Sequence, residues 1–113
     1  IDPELPKLFA ELPRAPYGVR PMPVHLGPDA AENYNGPALD GTRGGWFNAN
    51  TVGWRKRPLW AAETLVAHET VPGHHLQVAR EVELAGLPRF RRAGFVIAYN
   101  EGWALYAETL GFE

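Results

Sequence analysis

The 113-residue chain contains no cysteine, which excludes disulfide bonds, thiolate metal ligands and a cysteine nucleophile. The chain also has no large excess of positive or negative charge, because it contains 11 basic and 13 acidic residues. The composition therefore gives no argument for binding nucleic acid or an anionic membrane surface. No apolar run approaches the roughly 20 residues of a membrane-spanning helix, and no segment has the pattern of a signal peptide. The length allows one domain at most, and we expect both ends to continue into a longer protein.

Proline divides the chain into two parts, a Pro/Gly-rich segment at residues 1–57 and a helical region at residues 58–113. Nine of the eleven prolines lie in the first part or at its junction with the second. Because proline lacks a backbone N–H and clashes inside a helix, this part is expected to lack long helices. Aromatic and β-branched residues predict a strand at 46–52, and a short edge strand is predicted at 17–19. Residues 28–44 are rich in turn formers and are expected to be a loop.

The second part shows helical periodicity. Helices are predicted at residues 59–71 and 74–85, followed by a basic turn at 89–94. A last helix, at about 95–110, is apolar nearly all round, which predicts a buried helix. The predicted fold is therefore mainly α with a small β element (α+β), in a single-domain fragment over residues 1–113.

Three of the four histidines lie within eight residues, beside Glu69 and the pair Pro72–Gly73. Imidazole and carboxylate are the usual ligands of a catalytic zinc. A glutamate next to a ligand histidine is placed to take a proton from water at the metal. The order His68–Glu69 resembles the start of the zincin motif H-E-x-x-H, but Pro72 stands where the second histidine would be.

The spacing of the histidines requires a break in the helix. In a regular helix His74 would lie about 9 Å along the axis and about 240° around from His68, and His75 would lie about 10.5 Å away. Neither could share a metal with His68. Pro72 removes a helical hydrogen bond, and Gly73 accepts unusual backbone angles. We therefore predict a break that brings either His74 or His75 back toward His68.

Glu101 is a further candidate ligand because it lies on the apolar last helix. A buried carboxylate is costly unless it is paired or bound to a cation. Two histidines and one glutamate form a known catalytic zinc set that leaves a place for water. Glu108, seven residues on and on a similar face, is a candidate to orient a ligand histidine. His25, between prolines, is predicted to be a surface or packing histidine.

Three runs in this order, at residues 40–51, 68–77 and 100–108, resemble the DUF885 family of bacterial proteins. The second and third carry the patterns H-E-x-x-P-G-H-H-L-Q and E-G-W-A-L-Y-A-E. The resemblance extends over about residues 11–113. The family is zincin-like, is similar to gluzincin metallopeptidases, and includes lipoproteins, so a periplasmic or lipoprotein location fits it. Its full-length members are several times longer and mostly helical, which implies that the remaining chain packs on this region.

The resemblance implies a role for each site residue. His68 and His74 would bind zinc, with Glu101 as the third ligand. Glu69 would be the general base. His75 would be either an alternative second ligand or a donor to the substrate.

The resemblance also implies a peptide-binding cleft. The strand at 46–52 would lie along it, where its edge could bind an extended peptide by β-augmentation, helped by Asn48 and Asn50. Tyr99 or Tyr106 would donate a hydrogen bond to the oxyanion. The expected function is a zinc-dependent metallopeptidase or related amide hydrolase acting on a peptide substrate. The alternatives are a non-catalytic zincin-like peptide-binding module, an inactive fragment, or a metal-free helical structural domain.

Overall fold

The computed structural model describes residues 2–110, so residues 1 and 111–113 of the predicted domain lie outside the described residues. The described part combines five α-helices and three short 3-10 helices with one three-stranded sheet, as the predicted α+β class requires. The α-helices are α1 (Leu5–Leu8), α2 (Leu59–Glu69), α3 (His74–Glu83), α4 (Arg89–Ala93) and α5 (Ile97–Leu110), and the 3-10 helices are Asp2–Glu4, Val24–Leu26 and Trp54–Lys56. The strands are β1 (Tyr17–Pro21), β2 (Asn33–Asn35) and β3 (Gly45–Ala49). Helix α4 replaces the predicted basic turn.

The sheet has the order β1-β3-β2, with β1 parallel and β2 antiparallel to β3. Strand β3 is the predicted strand at 46–52, shortened at its C-terminal end. The prediction that its edge binds a peptide is wrong, because β1 and β2 occupy both edges of β3. The edge strand β2 lies inside the predicted loop. The sequence does not predict β2, because two of its three residues are asparagine, a residue type that is depleted in strands.

The predicted break between the first two long helices is confirmed. Helix α2 ends at Glu69 and α3 begins at His74, and the Val71–Pro72 peptide bond between them is cis. In place of the regular ladder, the Gly73 N–H donates to the Ala67 carbonyl at 2.9 Å, six residues back. Glycine is required there, because a Cβ on Gly73 would lie 1.9 Å from the carbonyl oxygen of His68.

Helix α5 packs against α2 and α3 through a narrow stripe of its surface. Asn100, Ala104 and Ala107 are its buried residues, and the two alanines allow a close approach to α2. The prediction of a buried helix is wrong for the described part of the chain, because the large apolar side chains of α5 point away from this stripe. Those exposed by more than half are Ile97, Tyr99, Leu105 and Tyr106.

A small apolar core lies beneath the helix break. Leu5 of α1, Val71 of the break and Leu76 of α3 are buried together. Partly buried side chains surround them, namely Phe9, Leu12, Tyr17 and Trp103. The core therefore anchors the turn that separates α2 from α3. Within residues 2–110, none of the helices has the length and apolar character needed to cross a bilayer.

Candidate metal centre

Three side chains from three helices converge beside the break. His68 belongs to the last turn of α2, His74 is the first residue of α3, and Glu101 lies in the second turn of α5. The Nε2 atom of His68 lies 3.3 Å from Oε2 of Glu101, and Nε2 of His74 lies 3.6 Å from Oε1. One donor atom from each residue lies within 4.8 Å of the other two. The break thus does what a regular helix could not, since it returns His74 to His68.

A fourth residue orients the first histidine. Glu108, two turns along α5 from Glu101, accepts a hydrogen bond from Nδ1 of His68 at 2.7 Å. Because Nδ1 then carries the proton, the Nε2 lone pair of His68 faces Glu101 and His74. A carboxylate on the outer nitrogen of a ligand histidine is the usual way in which proteins set its tautomer and ring angle.

The donor set fits a zinc ion in both chemistry and spacing. Two imidazole nitrogens and one carboxylate make a three-ligand set that leaves a coordination position open. Ligands at about 2.0–2.1 Å from a tetrahedral zinc lie roughly 3.3–3.4 Å from each other. The histidine-to-glutamate distances, 3.3 Å to Oε2 and 3.6 Å to Oε1, are close to that spacing, and one atom from each of the three residues lies within 4.8 Å of the other two.

Glu69 lies next to this centre and is 6% exposed. Its Oε2 atom is buried and makes no hydrogen bond within the described residues. Burial raises the pKa of the Glu69 carboxyl, His68 opposes that rise, and the charges of Glu101 and Glu32 add to it. A buried carboxylate with a free oxygen and a raised pKa is suited to accept a proton.

His74 is also buried. Burial, and then the neighbouring His68, lower the pKa of His74, whereas Glu101 raises it. Its Nδ1 atom is buried and has no hydrogen-bond partner within the described part of the chain. The lowered pKa favours the neutral imidazole, which is the form that binds metals.

The centre opens into a cleft of about 310 Å³. One wall is formed by β2 and its flanks, and an apolar wall is formed by α3 and the segment before α5. The lining residues outside the centre are Glu32, Asn33, Tyr34, Gly36, Val78 and Phe95. The cleft therefore combines a polar strand edge with an apolar surface.

His75 points away from this cleft. It is 2% exposed, its Nε2 donates to the carbonyl of Ala15 at 3.0 Å, and its Nδ1 accepts from the hydroxyl of Tyr34 at 2.7 Å. Its ring also packs at 4.6 Å from that of Tyr17. Of the two histidines left open by the sequence, the structure brings His74 to His68 and places His75 in a buried hydrogen-bond network.

Asn48 and Asn50 are buried and use their carboxamides within the protein. Asn48 accepts from Arg20 and donates to the side chains of Asn33 and Asn35, which ties the sheet together. The Asn50 amide donates to three loop carbonyls, those of Gly27, Pro28 and Ala30. Both asparagines therefore stabilise the sheet and its adjoining loop, and these hydrogen bonds do not support their predicted contact with substrate.

Tyr106, the predicted oxyanion donor, does not join the centre. It lies five residues after Glu101, about 140° around α5, and is more than half exposed. Its ring packs edge-on against Trp103 at 5.9 Å. Tyr99 is exposed as well and lines a different groove, formed with α4.

Two cleft residues were missed by sequence reasoning. The Tyr34 ring lies nearly parallel to that of His74 at 6.5 Å, and burial raises the pKa of the Tyr34 hydroxyl despite the charge of Arg43. Glu32 forms an ion pair with Arg57 at the cleft margin. Both residues lie in a segment predicted as a loop, where no periodic pattern indicates which side chains point inward.

Comparison with known proteins identifies the family. The family model described as "Bacterial protein of unknown function (DUF885)" matches residues 1–113. The chain belongs to the DUF885 family. No curated protein matches this DUF885 chain. The crystal structure of the putative lipoprotein from Colwellia psychrerythraea is similar, with a TM-score of 0.91 and 34% identity over 98% of the chain. The chain covers 19% of that protein's length.

Proposed function

We propose that this chain carries the catalytic centre of a zinc-dependent metallopeptidase or a related amide hydrolase. The observation that supports it is the convergence of His68, His74 and Glu101 across the break, with a buried Glu69 carboxylate beside them. The set resembles the two-histidine, one-glutamate composition of zinc peptidases. Its position in a cleft favours an enzyme over a structural metal site.

The residues of the chain divide the work. His68, His74 and Glu101 would hold the zinc, which when bound supplies Lewis-acid polarisation of a carbonyl and activation of water. Glu69 would take the proton from the attacking water and pass it to the leaving amine. Glu108 would hold His68 in the tautomer that presents Nε2 to the metal.

The substrate would bind along β2. This strand, Asn33–Asn35, is an edge of the sheet and lines the cleft next to His74. An extended peptide could add to its outer edge by β-augmentation, a mode in which backbone hydrogen bonds supply affinity. We therefore propose β2, and not the strand predicted at 46–52, as the strand whose edge binds an extended peptide.

The activity would belong to a longer protein. The chain spans about a fifth of the Colwellia protein that it resembles, and α5 leaves large apolar side chains exposed. We propose that further chain packs on this region and completes the cleft. The tests of activity therefore use the protein at its full natural length.

Zinc content tests the proposal most directly. Protein purified without chelator is expected to contain about one zinc per chain, and His68→Ala or Glu101→Ala should each lose most of it, because three ligands hold the ion. His25→Ala is the matched control, since His25 is exposed and remote in sequence from the centre. The measurement is elemental analysis of protein whose folding is verified by circular dichroism.

The outcomes separate the candidate functions. Equal zinc in wild type, His68→Ala and Glu101→Ala would reject this ligand set. Zinc binding together with peptide binding, but without turnover on a peptide library, would favour the non-catalytic peptide-binding module. Absence of zinc from the wild type would favour a structural domain.

A further inference from the structure

Trp103 connects helix α5, which carries the proposed ligand Glu101, to the turn that positions the proposed ligand His74. It lies on α5, two residues after Glu101, and its indole Nε1–H donates to the carbonyl of Pro72 at 2.8 Å. Pro72 is followed by Gly73 and then His74. One hydrogen bond therefore joins the two segments whose relative position decides the distance from Glu101 to His74.

The placement of Trp103 on α5 makes this bond a constraint on rotation. Residues two apart lie about 200° around a helix, so Glu101 and Trp103 lie on opposite margins of the stripe that α5 buries. Ala104 and Ala107, both fully buried, lie between these margins, together with Asn100, whose side chain makes a long hydrogen bond of 3.4 Å to α3. Short methyl side chains pack closely but resist rotation of a helix poorly. Apart from the Asn100 bond, the contacts at the two margins therefore set the rotational position of α5.

The indole is itself held by the core. Phe9 packs edge-on against Trp103 with ring centroids 6.2 Å apart. Trp103 also packs against the cluster of Leu5, Val71 and Leu76 beneath the break. These contacts fix the indole plane and thus the direction in which its N–H points.

We propose that Trp103 is a positioning residue of the metal centre, which sets the Glu101 carboxylate at ligand distance from His68 and His74. The inference rests on the proposed zinc site. Trp103 acts through α5 and the Pro72 carbonyl, not through the metal ligands directly. Loss of its N–H lets α5 turn, and Glu101 moves away from the two imidazoles.

The test compares Trp103→Phe with Trp54→Phe in the full-length protein. Phenylalanine retains a ring but has no donor. Trp54 is the matched control because it is 58% exposed and lies outside α2 and α5. Zinc affinity is measured by competition with a chelator, at a temperature where thermal unfolding shows every variant folded. Trp54→Phe is expected to match wild type, and Trp103→Phe to bind zinc about 10–100-fold more weakly, the effect typical of groups that orient ligands.

Each remaining outcome decides the proposal. A folded Trp103→Phe protein with wild-type zinc affinity overturns it. If the wild type binds no zinc, the proposed function fails, and the positioning role is tested instead by crystal structures of the metal-free wild type and Trp103→Phe. There, Glu101 displaced from 3.3 and 3.6 Å to the two histidines supports the positioning role, and unchanged distances overturn it. If Trp103→Phe does not fold, Trp103 is replaced by benzothienylalanine, in which sulfur takes the place of the N–H. Zinc affinity and the distances from Glu101 to the two histidines then decide the proposal in the same way.

Discussion

At the scale of the residue, Glu69 and Glu101 show how environment separates two carboxylates. Glu101 is partly exposed and lies within 3.6 Å of both imidazoles. Glu69 is buried and retains an oxygen without a partner. A ligand needs contact with the cation, whereas a base needs an oxygen without a hydrogen-bond donor and a raised pKa. The roles that we propose follow from this difference.

Glu69→Gln should retain zinc and lose turnover. Glutamine keeps the shape of the side chain but cannot accept the proton, and general-base catalysis typically contributes about 10²–10⁴-fold. The measurement is zinc content and peptide hydrolysis in parallel. Glu63→Gln, an exposed change on the same helix, is the control. Equal turnover in Glu69→Gln and wild type would remove Glu69 from the mechanism.

At the scale of the element, the break between α2 and α3 depends on close backbone packing. The backbone of Gly73 touches the last turn of α2 so closely that no side chain fits. Trp103 on α5 contacts the same turn from another direction. The break is therefore part of the built structure, not a frayed helix end.

Gly73→Ala is expected to destabilise the protein by about 1–3 kcal/mol, the usual cost of overpacking, and to weaken zinc binding. The added Cβ would lie 1.9 Å from the His68 carbonyl oxygen, so the backbone that carries the histidines must move. Chemical denaturation and chelator competition measure the two effects. Gly102→Ala on α5 meets no atom within 4 Å and should stabilise by about 0.5–1 kcal/mol, because alanine favours helices. Wild-type stability of Gly73→Ala would show that the break is not tightly packed.

Glu83 ties the end of α3 to the loop before β1. It accepts hydrogen bonds from the backbone N–H groups of Arg14 and Ala15 at 2.7 and 3.1 Å. Burial raises the pKa of Glu83, but these two donors and the Arg14 charge outweigh burial and hold the pKa below its usual range. The stabilisation is thus complete above the unfolded-state pKa of about 4.3 and is lost as pH falls through the lower, folded-state value.

Glu83→Gln should therefore lower the free energy of unfolding at pH 7 by about 1 kcal/mol, the difference between charged and neutral acceptors. The difference in free energy of unfolding between wild type and Glu83→Gln should stay constant from pH 7 to about 5 and become smaller below about 4. Denaturant titrations across this range measure it. Glu11→Gln is the control, because its exposed pair with Arg80 should contribute little. A difference that does not change with pH would mean that the charge of Glu83 does not stabilise the fold.

At the scale of the whole molecule, α2 and α5 each leave large apolar side chains exposed. Leu59 and Trp60 are 86% and 77% exposed, and Leu105 and Tyr106 are more than half exposed. Neighbouring large apolar side chains exposed in this way are typical of interaction surfaces. The Colwellia protein is about five times longer than the matched region, so further chain is the expected occupant of this surface.

Leu105→Asp tests that expectation. In the full-length protein the change should cost about 2–5 kcal/mol, as for a disrupted buried leucine, because it would place a charge against packed chain. In the 113-residue chain alone it should leave stability unchanged and reduce binding of an apolar dye. Val24→Asp, at an exposed valine outside α2 and α5, is the control. Unchanged stability of the full-length variant would show that this face stays open to solvent.

The features that depend on neighbouring residues could be predicted from the amino-acid sequence alone. Proline density restricted the first part to short elements, and periodicity placed the long helices within a few residues of their ends. The Pro72–Gly73 pair and the spacing from His68 to either of the later histidines predicted a break, which the structure contains. These features are local, because backbone angles and helical faces follow from residues a few positions apart.

The remaining features depend on long-range packing. Position in the sequence could not separate His74 from His75, and the choice came from Ala15 and Tyr34, which hold His75 away from the cleft. The sheet order placed β2, not β3, beside the cleft, and it turned Asn48 inward as a tie between strands. Such pairings join residues that are tens of positions apart. Their register is set by which packing of the whole chain has the lowest free energy, and no local pattern carries that information.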